Sequence, residues 1–240
     1  MNSRIRLQPL VDLNDGSALG YEALYNRENS CEFPSASYIL RDVVSECKSE
    51  MNFHLFINMT VADAADEKFY DNFMKTMDDL EINGDKIVLE LNEGTHPELI
   101  ERTKRTFSLL RRHNVKIALD DFGTKYSTME YMNELPVDIV KIDQKFVQSA
   151  PYSRKSRSML KFAANLSHDI GCQVVAEGIE NRDHLDCVME AKIDIGQGFL
   201  FLTPSPKMEV QKTPFINLND FVLYISSGFS KQGFQSRLIA

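Results

Sequence analysis

Oxygen-bearing side chains stand at the ends of short apolar runs at several places in this sequence of 240 residues. The run 87–89, for example, stops at one acid, and the run 117–119 stops at two. The residues in such positions are Glu22, Asn58, Glu90, Asp120, Asp121 and Glu177. If the runs are strands of one βα barrel, their carboxyl ends meet at one face, and these side chains come together in space.

Carboxylates gathered at one barrel mouth repel each other, which raises their pKa values and destabilises the fold unless other charges compensate. Carboxylate oxygens with one amide oxygen suit Mg²⁺, Mn²⁺ or Ca²⁺ better than a structural zinc ion. The adjacent pair Asp120 and Asp121 could serve two ions, and two metals about 3.5–4 Å apart are the usual arrangement for phosphodiester hydrolysis. Any single acid after an apolar run is more often a helix N-cap or a solvated loop residue, so the hypothesis depends on the whole set.

Lys141 lies inside the apolar run 139–142, where a lysine is costly to bury. One interpretation is a side chain that extends along apolar surface to reach solvent. Because carboxylates are expected at the same barrel mouth, we favour a paired lysine that orients a metal-bound water. Asp143, which ends this run, is interpreted as a cap or as a group that orients Lys141.

Short β-rich runs alternate with amphipathic helical patterns along the chain, and the length is close to the ~250 residues typical of a (β/α)₈ barrel. The predicted strands are 6–13, 19–24, 54–59, 86–91, 115–119, 139–142, 173–176 and 195–201. The predicted helices are 35–49, 64–80, 97–112, 156–170 and 181–191. The turn at 14–16 contains Asp-Gly and predicts a hairpin between the first two strands. The fold class is therefore α/β: a (β/α)₈ TIM-like barrel with an antiparallel early strand.

The composition limits the class of protein. Hydrophobic residues make up 43% of the chain, which excludes disorder, and the formal net charge of −8 argues mildly against a protein that binds a nucleic-acid polymer. No apolar run approaches the ~20 residues of a membrane span, and the first residues do not resemble a signal peptide. Cys31, Cys47, Cys172 and Cys187 form no CxxC pair, so we expect reduced thiols and a cytoplasmic protein.

The sequence resembles the EAL-domain cyclic-di-GMP phosphodiesterases of bacterial signalling over roughly residues 5–206. The motifs that carry the resemblance are QPLVDL at 8–13, GYEAL at 20–24, NMT at 58–60, ELNE at 90–93, DDFGT at 120–124, LPVDIVKID at 135–143, VAEGIE at 175–180 and QGFLF at 197–201. Eight such motifs in one order are a specific signal. We therefore expect a single EAL-type domain over residues 1–240, with a core at 5–206 and a C-terminal extension at 207–240.

The resemblance implies hydrolysis of cyclic-di-GMP to linear pGpG with two Mg²⁺ or Mn²⁺ ions, which lowers the level of the second messenger. It implies that Glu22, Asn58, Glu90 and Asp120 hold one ion and that Asp120, Asp121 and Glu177 hold the other. Catalytic roles are implied for Glu22, Lys141 and Glu177, with Lys141 orienting or helping to deprotonate the attacking water. Substrate-binding or supporting roles are implied for Gln8, Asn26, Gln197 and Glu180. Glu93 would stabilise the loop after Asp121, and a homodimer is a family-level expectation.

Three positions depart from the family pattern. Asn26 stands where most members have an arginine that contacts the substrate phosphate, with Arg27 next to it, so we expect weaker substrate binding. Asn92 stands in place of the usual threonine, which is nearly conservative, and Lys125 in place of the usual glycine. None of these changes removes an expected metal ligand.

Two functional alternatives stay open at the level of sequence. A catalytically weak or inactive member could act as a cyclic-di-GMP receptor or as a regulator that binds another protein. Degenerate members of that kind typically lose the glutamate of the EAL triplet or the aspartate pair, and this chain keeps both. Hydrolysis of a different phosphodiester is the second and weaker alternative.

Overall fold

Eight strands form a closed barrel in the structure, a computed structural model that describes residues 5–25, 34–47, 53–92, 97–123 and 128–206. The strands are β1 (Ile5–Asp12), β2 (Ala18–Tyr25), β3 (His54–Met59), β4 (Ile87–Leu91), β5 (Lys116–Phe122), β6 (Ile139–Ile142), β7 (Gln173–Ala176) and β8 (Ile195–Gly196). Neighbouring strands from β2 to β8 pair in parallel, and β1 closes the barrel by pairing antiparallel with both β2 and β8. A short ninth strand, β9 (Ser205–Pro206), pairs antiparallel with the start of β1. The predicted TIM-like barrel with an antiparallel early strand is confirmed.

Strand alternation divides the apolar side chains into an inner and an outer set. The barrel interior holds a compact cluster of buried residues, one from each of seven strands: Leu10, Phe56, Val88, Ala118, Ile139, Val175 and Ile195. The side chains that alternate with these along the strands pack outward against the helices in two larger clusters. The inner cluster therefore forms an apolar plug beneath the barrel mouth.

The outer layer consists of helices that connect the strands. They are α1 (Ala36–Cys47), α2 (Val61–Ala65), α3 (Phe69–Leu80), α4 (Ile100–Arg111), α5 (Thr128–Glu134), α6 (Gln144–Ser149), α7 (Arg154–Asp169) and α8 (Arg182–Glu190). Polar caps define several of their starts: Ser153 caps α7, Asn181 caps α8, and Asp143 caps α6 by accepting from the Lys145 amide. The interpretation of Asp143 as a cap is thus confirmed.

The structure differs from the sequence-based elements in three places. The single helix predicted over 64–80 is wrong, because Asp66 adopts an extended conformation and separates α2 from α3. The last predicted strand, 195–201, ends at Gly196, and the chain then turns back on itself, with the amides of Phe201 and Leu202 donating to the Gly198 carbonyl. The short helices α5 and α6 were not predicted, because six or seven residues are too few to show helical periodicity.

Two aspartates tie strands together at the end of the barrel opposite the mouth. Asp138, just before β6, accepts from the Ile117 amide of β5 at 2.9 Å and from the Arg111 guanidinium at 2.7 Å. Asp194, just before β8, accepts from the Val174 amide of β7 at 2.8 Å and contacts the His168 ring at 2.9 Å. We call these two arrangements the floor clamps.

No helix within the described ranges has the length and apolar character required to cross a membrane. Cys172 and Cys187 are buried and unpaired, as expected for reduced thiols, whereas Cys31 and the Cys47 side chain lie outside the described part of the chain. The extension at 207–240 also lies outside it.

Candidate active site

A layer of polar side chains lies directly above the apolar plug at the barrel mouth. Along each strand the polar residue comes two positions closer to the mouth than an inward-facing residue, as Asn58 does after Phe56 and Glu90 after Val88. The layer takes one residue from each of the eight strands or from the position just after it: Gln8, Glu22, Asn58, Glu90, Asp120, Lys141, Glu177 and Gln197. The period of two therefore places all eight side chains at one end of the barrel interior.

Lys141 is the positive centre of this layer. Its side chain is 1% exposed, and its ammonium lies 2.8 Å from Glu90 Oε1 and 2.8 Å from Glu177 Oε1. The same ammonium is 3.3 Å from Glu22 Oε2 and 3.5 Å from Asp120 Oδ1. One cation thus faces carboxylates from β2, β4, β5 and the end of β7.

Amide side chains hold Glu22 from the other side. Gln197 donates from Nε2 to Glu22 Oε2 at 2.7 Å and to Gln8 Oε1 at 3.2 Å. Asn58 donates from Nδ2 to Glu22 Oε1 at 2.9 Å. Asn92, the residue after β4, donates in turn to Asn58 Oδ1 at 2.7 Å. Both oxygens of Glu22 are therefore fixed by hydrogen bonds.

Asp121 joins the layer through a local distortion of β5. Successive residues of a regular strand point to opposite faces, which would separate Asp120 from Asp121. The β5–β6 register shifts at this point, and Asp121 has a positive φ of 58°. Carboxylate oxygens of Asp120, Asp121 and Glu177 consequently lie within 4.8 Å of one another, close enough to hold one metal ion.

The position of Glu177 depends on the turn that follows it. Its amide extends the β6–β7 ladder by donating to the Ile142 carbonyl at 3.2 Å. Gly178 then has a φ of +70°, and a Cβ at this residue would lie 2.4 Å from the Cβ of Gln144 on α6. Glycine therefore allows the chain to turn away directly after the carboxylate, without strain or a clash with α6.

Burial and mutual repulsion separate the pKa values of the carboxyl groups. Burial and the neighbouring Glu22 charge raise the pKa of Glu90 well above its ordinary value, although Lys141 opposes this. Burial, with the charges of Asp120 and Glu22, raises the pKa of Glu177 from 4.5 to about 7 despite the contact with Lys141. Burial would also raise the pKa of Glu22, but the Lys141 charge and the amide donors outweigh it and lower that pKa.

The four carboxylates also act on Lys141. Burial alone would lower the pKa of its ammonium, but the charges of Asp120, Glu177, Glu22 and Glu90 raise it well above the usual value. Lys141 is therefore a cation and a hydrogen-bond donor at neutral pH.

Among the described residues, Glu90 Oε2 and Gln197 Oε1 are buried without a hydrogen-bond donor, and the ammonium of Lys141 lies 2.8 Å from Glu90 Oε1 and 3.5 Å from Asp120 Oδ1. Buried oxygens are normally satisfied, and those at functional sites often await an ion or a water molecule. With Asp121, the mouth carries five carboxyl groups against the single ammonium of Lys141 within the described ranges. The arrangement is thus chemically suited to bind divalent cations.

The structure brings together most of the residues predicted for the site, with one exception among those described. Glu180 is exposed, and its carboxylate accepts from Gln148 of α6 at 3.1 Å. Asn26, Glu93 and Lys125 lie outside the described residues. The sequence marks Asn92 only as a departure from the family pattern, and nothing in the sequence shows that its side chain faces Asn58.

The fold and the site together define a closed βα barrel with an acid-lined mouth around a buried lysine. The chain belongs to the EAL-domain family, whose profile matches residues 35–204. This match includes the polar-layer residues from Asn58 to Gln197, while Gln8 and Glu22 precede it.

Relatives and solved structures agree with this membership. Cyclic di-GMP phosphodiesterase PdeL of Escherichia coli is 33% identical over 155 residues, which are 65% of this chain and 43% of that protein. The crystal structure of the EAL domain of Mycobacterium smegmatis DcpA has a TM-score of 0.78 and 27% identity, covering 87% of this chain and 93% of that one. An EAL domain protein from Listeria monocytogenes has a TM-score of 0.74 and 26% identity, with 87% and 90% covered. The chain spans only 27% to 45% of the length of the first curated relatives it matches.

Proposed function

We propose that the chain is a metal-dependent phosphodiesterase that hydrolyses cyclic-di-GMP to linear pGpG in bacterial signalling. The observation that carries the proposal is the contact of one buried ammonium, Lys141, with carboxylates from four strands at the barrel mouth. The substrate class comes from the relatives named cyclic di-GMP phosphodiesterases.

The charge balance of the mouth supports two divalent cations. If all five carboxyl groups are ionised, their five negative charges and the one positive charge of Lys141 leave a net charge of −4, which two divalent cations would neutralise. The ligands proposed for one ion are Glu22, Asn58, Glu90 and Asp120, and those for the other are Asp120, Asp121 and Glu177. All are oxygen donors, which favours Mg²⁺ or Mn²⁺. When bound, such cations activate water and neutralise the charge that develops on the phosphate.

Side chains of the polar layer are proposed to have further roles besides metal binding. Lys141 is proposed to orient the attacking water, because its ammonium lies among the carboxylates that are proposed as metal ligands. Gln197 keeps Glu22 in place through the bond from its Nε2, and Gln8 shares the same donor. Glu180, which accepts from Gln148 Nε2 at 3.1 Å, is proposed to support the site from outside the set of metal ligands.

The decisive experiment incubates the full chain with cyclic-di-GMP and Mn²⁺ and identifies the product by chromatography and mass. We expect pGpG to form in Mn²⁺ and not in EDTA. The Glu22→Gln variant should lose at least about a hundredfold in turnover, because a metal ligand becomes a weaker neutral one. The matched control is Glu101→Gln, an exposed glutamate on α4, which should keep full activity.

Binding of cyclic-di-GMP without any pGpG would support the receptor alternative and contradict the proposal. Equal turnover of Glu22→Gln and the wild-type chain would contradict the ligand assignment. The homodimer and the cytoplasmic location stay predictions, which light scattering and fractionation of the native host would test.

A further inference from the structure

Asn92 is the end of a chain of amide hydrogen bonds that leads to Glu22. Asn92 Nδ2 lies 2.7 Å from Asn58 Oδ1, and Asn58 Nδ2 lies 2.9 Å from Glu22 Oε1. Asn58 and Glu22 are 7% and 6% exposed. The bonds therefore lie at the edge of a largely dry site, where each donor and acceptor must match.

The direction of these bonds is set by the carboxylate. An ionised Glu22 only accepts hydrogen bonds, so Asn58 must turn its NH₂ group toward Glu22. The carbonyl oxygen of Asn58 then faces Asn92, which can satisfy it only by offering its own NH₂ group. A flip of either amide would bring two acceptors or two donors together, and both rotamers are thus fixed by the network.

The backbone supports the same contact. The backbone N–H of Asn92 donates to the backbone carbonyl of Met59 at 3.1 Å. This bond extends the parallel pairing of β3 with β4 by one residue beyond the pair of Met59 and Leu91. Asn92 also stands two positions after Glu90, so its side chain lies on the mouth side of the same face. The residue is consequently held beside Asn58 by secondary structure as well as by its side chain.

We propose that Asn92 is a positioning residue that fixes the amide of Asn58 with its carbonyl oxygen available to a divalent cation. This inference rests on the metal site of the proposed function. Asn92 occupies only one lone pair of Asn58 Oδ1, and a carbonyl oxygen has two. Without this donor, only the bond to Glu22 holds the Asn58 amide, and its carbonyl oxygen is oriented less firmly.

The test compares Asn92→Leu, which has nearly the same shape but no donor, with Asn92→Thr, which keeps a shorter hydroxyl donor. The matched control is Asn165→Leu, an exposed asparagine on α7. Each full-length variant is titrated with Mn²⁺ by calorimetry in the absence of substrate. Turnover is then measured to separate kcat from KM, and the melting temperature is measured in EDTA.

We expect Asn92→Leu to bind Mn²⁺ about tenfold or more weakly than the wild type, because partners of metal ligands contribute on that scale. Because less of the variant holds the metal ion, its kcat at a fixed low Mn²⁺ concentration should also fall, and its KM for cyclic-di-GMP should change little. Asn92→Thr should lie between Asn92→Leu and the wild type, and Asn165→Leu should match the wild type. Melting temperatures in EDTA should remain close to one another.

Equal Mn²⁺ affinity in Asn92→Leu and the wild type would overturn the inference while leaving the proposed function intact. A lower melting temperature in EDTA with unchanged Mn²⁺ affinity would also overturn it, because it would show a purely structural role. If the wild-type chain itself takes up no Mn²⁺, the metal site of the proposed function is wrong, and the inference falls with it.

Discussion

The ammonium of Lys141 stabilises the mouth of the barrel as a countercharge, in addition to any role in hydrolysis. It is fully buried and touches four carboxylates, of which Glu90 is also fully buried. Removing one partner of a buried ion pair leaves an uncompensated charge, which is more costly than the pair is favourable. The stability of the metal-free protein therefore depends on this residue.

Lys141→Met should lower the free energy of unfolding in EDTA by about 3–5 kcal/mol, because the four carboxylates lose their shared cation. Urea unfolding measures this change. Mn²⁺ should restore part of the loss, since the ions supply positive charge at the same place. Unchanged stability of the variant in EDTA would show that the carboxyl groups are already protonated and need no countercharge.

The raised pKa of Glu177 predicts a pH dependence of stability without metal. A carboxyl group with a pKa of 4.5 when unfolded and about 7 when folded binds more protons in the folded state between these values. Its contribution to stability is therefore complete below about pH 4.5 and is lost as the pH rises through about 7. In EDTA, the wild-type melting temperature should fall over this range more steeply than that of Glu177→Gln. Parallel curves for the two proteins would contradict the raised pKa.

At the scale of residues, the sequence predicted the acids at the strand ends well, because an apolar run that stops at an acid can be recognised in the sequence alone. Gln8 and Gln197 were found only through the family resemblance. Their position two residues from Leu10 and Ile195 is a signal that could have found them once the inward-facing set was known. The role of Glu180 stays a prediction, and its contact with Gln148 of α6 after the turn at Gly178 is not visible in any local sequence pattern.

At the level of elements, the floor clamps hold β5 to β6 and β7 to β8 at the end opposite the site. In each clamp an aspartate just before one strand accepts a hydrogen bond from the backbone N–H of the second residue of the preceding strand. The same aspartate contacts a basic side chain in the last turn of the helix that leads into that preceding strand. The clamps thus stabilise the barrel without taking part in the mouth.

Asp138→Asn should lower the free energy of unfolding by about 1–3 kcal/mol, because a charge-assisted hydrogen bond to the Ile117 amide is weakened and the Arg111 pair is lost. Asp78→Asn, an exposed change on α3, is the control and should have little effect. Chemical denaturation provides the measurement, and kcat should stay close to the wild-type value at a temperature where both proteins are folded. A fall in kcat of the folded variant would mean that the floor and the mouth are coupled.

The elements that the sequence predicted best are those with strong local signals. The Asp-Gly turn correctly indicated that β1 and β2 form a hairpin, and seven of the eight barrel strands were located to within a few residues. The short helices α5 and α6 and the break at Asp66 depend on single capping residues and tertiary contacts. A hydrophobic pattern that is read over a longer window does not detect features of this size.

At the scale of the whole molecule, the reversed direction of β1 determines where the chain enters and leaves the barrel. Ile5 pairs with Tyr25 at the carboxyl end of β2, and Ser205 and Pro206 pair with Leu7 and Arg6 nearby. Both termini of the described barrel therefore lie on the rim of the mouth. A segment that joins the barrel at Ile5 or at Pro206 therefore starts beside the acidic mouth and not at the floor clamps.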